Sequence, residues 1–224
     1  MSGACGIVVL ISGSGTNLQA LLDEERAGCL PGRIVAVISN RHSAGGLRRA
    51  QEAGIETRVL PHDDFPAREH YDQALQAEID QFTPGLVVLA GFMRILSPAF
   101  VLHYQGRMLN IHPSLLPAYR GLHTHRRVLA AGDREHGCSV HFVTPDLDAG
   151  PVVVQARVPV LEGDTERTLA ARVQAQEHRI YPLAVGWFAS GRLVLRQGVP
   201  HLDEVALPAP VTVRPEDAIP RTDS

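Results

Sequence analysis

Residues 7–11 read IVVLI and run without a break into Ser12-Gly13-Ser14-Gly15-Thr16-Asn17, followed by Leu18, Leu21 and Leu22 at helical spacing. An uninterrupted apolar run predicts a strand buried on both faces, which requires a sheet covered by helices on both sides. Strand, glycine-rich turn and helix in this order is also the layout that cradles an anion. Free backbone N–H groups and the positive end of the helix dipole face the ligand. The same residues would serve as a tight turn with Thr16 or Asn17 capping the helix. The pattern is neither G-x-x-x-x-G-K-[ST] nor G-x-G-x-x-G, because Leu18 stands at the third glycine position.

The alternation of strand and helix patterns continues along the chain. Residues 33–39 (RIVAVIS) predict a second strand ending in Asn40-Arg41, where a dinucleotide-binding fold would place an acidic residue. Its absence counts against NAD. A helix is expected over 44–53, ended by Gly54, and a weakly alternating edge strand over 55–60. Pro66 opens an amphipathic helix with Tyr71, Leu75, Ile79 and Phe82 on one stripe. Arg68 lies near its start, within reach of a ligand. Residues 85–90 predict another buried strand, 100–104 a short helix and 107–112 a further strand. The loop at 91–98 (GFMRILSP) is more apolar than an exposed connection, as the wall of a pocket would be. This succession predicts an α/β protein with a doubly wound, mainly parallel sheet. Ligands in that architecture bind outside the carboxyl ends of the strands. The loops at 12–17, 91–96 and 110–117 fall on that one edge.

At the third of these loops, Asn110 and His112 project to the same side of an extended segment, and Ile111 points into the core. Pro113 disfavours the helical region for His112, so the extended form is locally enforced. An amide donor beside an imidazole can grip an oxyanion and move a proton, or can simply cap a strand end. Further on, His123-Thr124-His125 lacks a suitably spaced carboxylate or thiol, so no metal is expected. Residues 139–143 and 151–160 predict an antiparallel pair joined by the turn Thr144-Pro145-Asp146-Leu147-Asp148-Ala149-Gly150, an antiparallel extension in the C-terminal half. Asp146 and Asp148 either shape that turn or supply a carboxylate that orients or charges His112. A helix is expected over 165–179, continuing to Trp187 with Pro182 kinking or interrupting it. Residues 192–195 predict a last strand, and the Pro-rich stretch 199–224 a loosely ordered tail.

Composition removes several function classes. All 21 basic residues are Arg, so a lysine Schiff base and the P-loop lysine are excluded. A net charge of -3 gives no nucleic-acid footprint. No apolar run approaches the ~18 residues that span a bilayer. Cys5, Cys29 and Cys138 are scattered and read as reduced thiols of a cytoplasmic protein.

Four stretches together carry a resemblance: IVVLISGSGTNLQAL at 7–21, VVLAGFMRILSP at 87–98, LNIHPSLLP at 109–117 and HFVTPDLDAGPVVVQ at 141–155. GLHTH and QAQEHRIYP support it. Over residues 7–195 the chain resembles the glycinamide ribonucleotide formyltransferase family, folate-dependent enzymes of purine synthesis. The resemblance implies transfer of the formyl group of N10-formyltetrahydrofolate, as co-substrate, to the amine of glycinamide ribonucleotide. It implies that Asn110, His112 and Asp148 are catalytic. Asn110 and His112 would stabilise the oxyanion, and His112 and Asp148 would handle the proton. Gly13, Ser14, Gly15, Thr16 and Asn17 would hold the ribonucleotide phosphate, with Glu177 on the same substrate. Arg68, Met93, Arg94, Ile95, Leu96, Asn110, Thr144, Pro145, Asp146, Leu147 and Asp148 would line the folate site. Ser114 and His141 would have supporting roles.

These assignments imply one formyltransferase domain over 1–198, with a ribonucleotide-binding half at 7–110 and a catalytic, folate-binding half at 85–198. Neither a nucleic acid nor a membrane is an expected partner, and the chain is expected to be a monomer or homodimer. Arg120-Gly121 stands where several relatives carry Pro-Gly, and this feature is similar to the methionyl-tRNA formyltransferases. Those enzymes are expected to carry a further basic C-terminal module, and formyltetrahydrofolate hydrolases an extra N-terminal domain. Neither is read in this sequence.

Overall fold

The computed structural model describes residues 4–218. β1 (Cys5–Ile11), α1 (Thr16–Arg26), β2 (Gly32–Ser39), α2 (Gly45–Glu52) and β3 (Glu56–Val59) follow one another in the first quarter of the chain. α3 (Arg68–Asp80), β4 (Leu86–Leu89), α4 (Pro98–His103) and β5 (Met108–His112) complete the doubly wound part. α5 (Thr124–Ala131), β6 (Glu135–Phe142), β7 (Val152–Pro159) and α6 (Glu166–Ala189) form the second half. β8 (Leu193–Arg196), β9 (Val199–Leu202), β10 (Val205–Ala206) and β11 (Val211–Val213) come last.

The main sheet has the order β11-β7-β6-β5-β4-β1-β2-β3. β3, β2, β1, β4 and β5 are mutually parallel. β6 runs antiparallel to both β5 and β7, which is the extension expected from the turn at 144–150. Strand alternation divides the apolar side chains between two cores. Ile7, Val9 and Ile11 join Leu18, Leu21, Leu22, Val128, Val173 and Tyr181 on the face covered by α1, α2, α5 and α6. Val8 and Leu10 join Tyr71, Leu75, Ile79, Phe100 and Val101 on the face covered by α3 and α4. Each such side chain taken fully from water contributes about 1.5–3 kcal/mol, so both layers are needed to hold the central strands.

Two expectations need correction. Pro182 does not interrupt α6, which runs from Glu166 to Ala189 as one helix. The helix is anchored around the proline by buried Ile180, Tyr181, Leu183 and Ala184. The Tyr181 hydroxyl, 2.9 Å from Leu89 O and 3.1 Å from Leu109 O, ties it across β4 and β5. The segment after 198 is not a loosely ordered tail through its described part. β8, β9 and β10 form a separate antiparallel sheet, and β11 adds a parallel edge strand to β7. Buried Leu193 and Val213 supply the apolar anchors, and Arg192 clamps Asp203 through two bonds of 2.7 and 2.8 Å. Residues 219–224 of the expected tail lie outside the described residues. Among the described residues no helix is long and apolar enough to cross a membrane.

Candidate active site

β5 carries the central pair. Leu109 and Ile111 belong to one core and Met108 to the other. Asn110 and His112, in step with Met108, therefore leave the sheet on its α3/α4 side. Asn110 borders a cleft whose opposite wall is Phe92, Arg94, Ile95 and Leu96 from the loop after β4. His141, Val143, Thr144, Pro145, Leu147 and Asp148 complete the lining.

Asp148 reaches this cleft from a tight turn. Its backbone is left-handed, with φ of 48°, a conformation that Asp tolerates better than most residues. Two residues on, a Cβ at Gly150 would collide with the carbonyl oxygen of Phe142, so only glycine allows β6 and the turn to approach this closely. Asp148 Oδ2 accepts the Gly121 N–H at 2.9 Å and lies 3.4 Å from His112 Nδ1. His112 Nε2 lies 3.0 Å from the carbonyl oxygen of Tyr119. Both ring nitrogens thus face acceptors, and the pair is nearly closed to solvent, with side-chain exposures of 8% and 10%.

His141 sets the orientation of Asn110. Its Nδ1 is 2.9 Å from the Phe142 carbonyl, which can only accept, so Nδ1 carries the proton. Burial pushes the ring down to about 4 from its ordinary 6.5, which leaves Nε2 unprotonated at neutral pH. Nε2 then accepts a hydrogen from Asn110 Nδ2 at 3.0 Å. The second amide hydrogen of Asn110 is left for the cleft. His136 is also pushed down to about 4 by burial. In the unfolded chain both rings take a proton near pH 6.5, and in the fold only near 4. Stability is therefore complete above about pH 6.5 and is lost as the pH falls towards 4. Denaturant titrations should show the loss between pH 7 and pH 5, on the order of 2 kcal/mol per histidine. Equal stability at the two pH values would contradict the buried, neutral state of both rings.

The glycine-rich turn lies on the same sheet edge. Gly15, with φ of 71°, precedes α1, and the Gly46 N–H donates to Gly13 O at 3.1 Å. Asn17 Nδ2 donates to Glu177 Oε2 at 2.8 Å, joining the start of α1 to α6. Asn17 Oδ1 is buried without a hydrogen-bond partner. Burial pushes the Glu177 carboxyl above its ordinary value, against the opposing effect of the Asn17 hydrogen bond. Arg49 braces the turn from outside through a 2.9 Å bond from Nε to Ser14 O. The sequence gives no signal for that role, because Arg49 lies on the polar side of a short helix.

Not every expected side chain meets at the cleft. Arg68 is paired with Glu69 at 3.3 Å on the surface and does not line it. Met93 turns its side chain outward, at 63% exposure, and uses its N–H inward. Asp146 is exposed, and its carbonyl accepts from Ala149 N and Thr144 Oγ1, so it shapes the turn. His125 Nδ1 lies 2.9 Å from His136 Nε2, and among the described residues no group of three or more His, Cys, Asp or Glu could hold a metal. Tyr119 and the Gly121 amide join the site without having been singled out from the sequence. Both contribute backbone groups through contacts across the chain.

Phe92, Ile95, Leu96 and Val143 give the cleft apolar surface, and Arg94, Asn110, His141, Thr144 and Asp148 give it polar groups. Arg94 sits 5.0 Å above the Tyr71 ring, and its buried Nε lacks a partner.

Residues 5–185 match the formyl transferase family. The phosphoribosylglycinamide formyltransferase of Escherichia coli (strain K12) is 59% identical over 202 residues, covering 90% of this chain and 95% of that protein. The Haemophilus influenzae protein of the same name is 46% identical with the same coverage. Among solved structures, the Coxiella burnetii phosphoribosylglycinamide formyltransferase superposes with a TM-score of 0.90 at 54% identity, covering 93% of this chain and 99% of that one. The chain belongs to the formyl transferase family, among its phosphoribosylglycinamide formyltransferases.

Proposed function

We propose that the chain transfers a formyl group from N10-formyltetrahydrofolate to the amine of glycinamide ribonucleotide in purine biosynthesis. The observation that carries this reading is that Asn110 and Asp148 line a cleft with an apolar wall, with His112 3.4 Å from Asp148 beside it, on the sheet edge that also carries the glycine-rich turn. The folate supplies an activated formyl carbon. As the amine nitrogen bonds to that carbon, the free hydrogen of the Asn110 amide stabilises the negative charge growing on its oxygen. His112 adds a second donor once Nε2 leaves the Tyr119 carbonyl. Asp148 balances the charge of that imidazole through the Nδ1 contact. The proton lost by the amine travels by way of His112 and Asp148 to the folate nitrogen as its bond to the formyl carbon breaks. The step is redox-neutral and needs no metal.

The turn at Gly13, Ser14, Gly15, Thr16 and Asn17 takes the phosphate on its N–H groups and on the dipole of α1. Glu177 meets the same ribonucleotide. Arg94, Ile95, Leu96, Thr144, Pro145 and Leu147 flank the folate ring. An omission assay tests the reading. Loss of the formylfolate chromophore is expected only when formylfolate, glycinamide ribonucleotide and protein are all present. Loss without the ribonucleotide would indicate a hydrolase, and no loss with both substrates would reject the proposal.

A further inference from the structure

Ser12 is the last residue before the glycine-rich turn, and its buried side chain does more than end a strand. Its N–H donates to Gly91 O at 3.2 Å, and its hydroxyl accepts the Met93 N–H at 2.8 Å. Both partners lie in the loop that forms the apolar wall of the cleft. A hydroxyl has one hydrogen, and here it goes to Asn40 Oδ1 at 2.6 Å. That bond fixes the Asn40 amide, which is 1% exposed, with its nitrogen turned away from Ser12. Asn40 Nδ2 lies 3.3 Å from His62 Nδ1, which is also 3.2 Å from the Asn40 carbonyl. The result is a directed chain, Met93 N–H to Ser12 to Asn40, across the carboxyl ends of β4, β1 and β2, with His62 Nδ1 packed against the Asn40 end. Parallel pairing of these three strands is what brings the links together.

The chain connects two segments that the reading above gives to different substrates. Residues 13–17 begin at Ser12, and residues 91–96 hang from it by two bonds. Breaking a buried chain of this kind leaves Asn40 Oδ1 and the Met93 N–H without partners unless the loop shifts to find new ones. The wall loop is tied again at Arg94, 5.0 Å over the Tyr71 ring, and at its far end, where Asp72 Oδ2 accepts Ser97 N–H at 2.5 Å.

We propose that Ser12 and Asn40 are positioning residues for the transfer. Without touching either substrate, they hold the ribonucleotide turn and the folate wall at one spacing, so that amine and formyl carbon meet. This rests on the function proposed above. The kinetic consequence is specific. A residue that contacts one substrate changes one KM, whereas loss of this spacer changes both together and lowers kcat. A 1 Å misplacement of reacting atoms can cost on the order of a hundredfold.

The test joins kinetics to hydrogen exchange. Ser12→Ala and Asn40→Ala are expected to raise both KM values and to lower kcat/KM by about a hundredfold. Asn40→Asp keeps the acceptor that faces Ser12 and is expected to stay within about tenfold of native. Amide exchange over 91–96 should speed up in Asn40→Ala, although Asn40 bonds to none of those residues. Lowered melting temperatures with native KM values would reduce the chain to a structural role and overturn the proposal. Unchanged exchange at 91–96 in both alanine variants would also overturn it. If the native protein transfers no formyl group but exchange at 91–96 still responds to Asn40→Ala, the function reading fails while the mechanical link stands.

Discussion

His112→Ala is expected to cut turnover by a hundredfold or more, with tetrahydrofolate binding by calorimetry kept within a few-fold of native. The imidazole contacts Asp148 and Tyr119 O, and it is absent from the cleft lining. Its removal therefore takes away proton handling and charge without opening the folate wall. Asp148→Asn should produce a loss of the same order. The neutral amide would keep the turn, but it would no longer balance the imidazolium against the Oδ2 contact. Near-native turnover in either variant would remove the pair from the mechanism. Loss of folate binding alongside turnover would mean that the substitution had collapsed the cleft.

The second large effect belongs to Gly15. Its backbone is left-handed, and an added Cβ would lie 2.5 Å from the Cα of Gly46. Gly15→Ala thus combines about 1–2 kcal/mol of backbone strain with a clash against backbone that has no side chain to move. The turn must shift, and the KM for glycinamide ribonucleotide is expected to rise at least about tenfold, with the KM for formylfolate little changed. Gly28→Ala provides the control. Gly28 has the same φ of 71°, and a Cβ there meets nothing within 4 Å. It carries the strain without the clash, so its KM values should stay native. An unchanged ribonucleotide KM in Gly15→Ala would argue against phosphate binding at this turn.

Much of the fold could be read from the sequence because its signals are local. The runs at 7–11, 33–39 and 85–90 are apolar on both faces, and strands of that kind need helices on both sides. Asn110 and His112 could be placed together from strand alternation and Pro113 alone. What the sequence did not disclose depends on contacts between distant segments. Pro182 looked like a break, yet α6 keeps its course because buried neighbours and the Tyr181 hydroxyl fix it to the sheet. The prolines after 198 suggested disorder, whereas β9 pairs with β8, β10 with β9 and β11 with β7. Asn40 drew notice in the sequence only as a non-acidic residue, and its role becomes visible once β1 and β2 lie side by side. Arg68 and Asp146 have charges suited to a ligand site; Arg68 pairs with Glu69 on the surface, and Asp146 is exposed with its carbonyl closing the turn.

The central claim is that one carbon passes directly from the folate to the ribonucleotide amine at Asn110, His112 and Asp148. N10-formyltetrahydrofolate labelled with 13C in the formyl group tests it. The labelled donor is mixed with glycinamide ribonucleotide and native protein and followed by NMR. The account predicts that the label appears on the glycinamide nitrogen as a formamide, one for each tetrahydrofolate released, and that His112→Ala and Asp148→Asn both suppress its appearance. Label recovered as free formate, or transfer that persists in both variants, would contradict it.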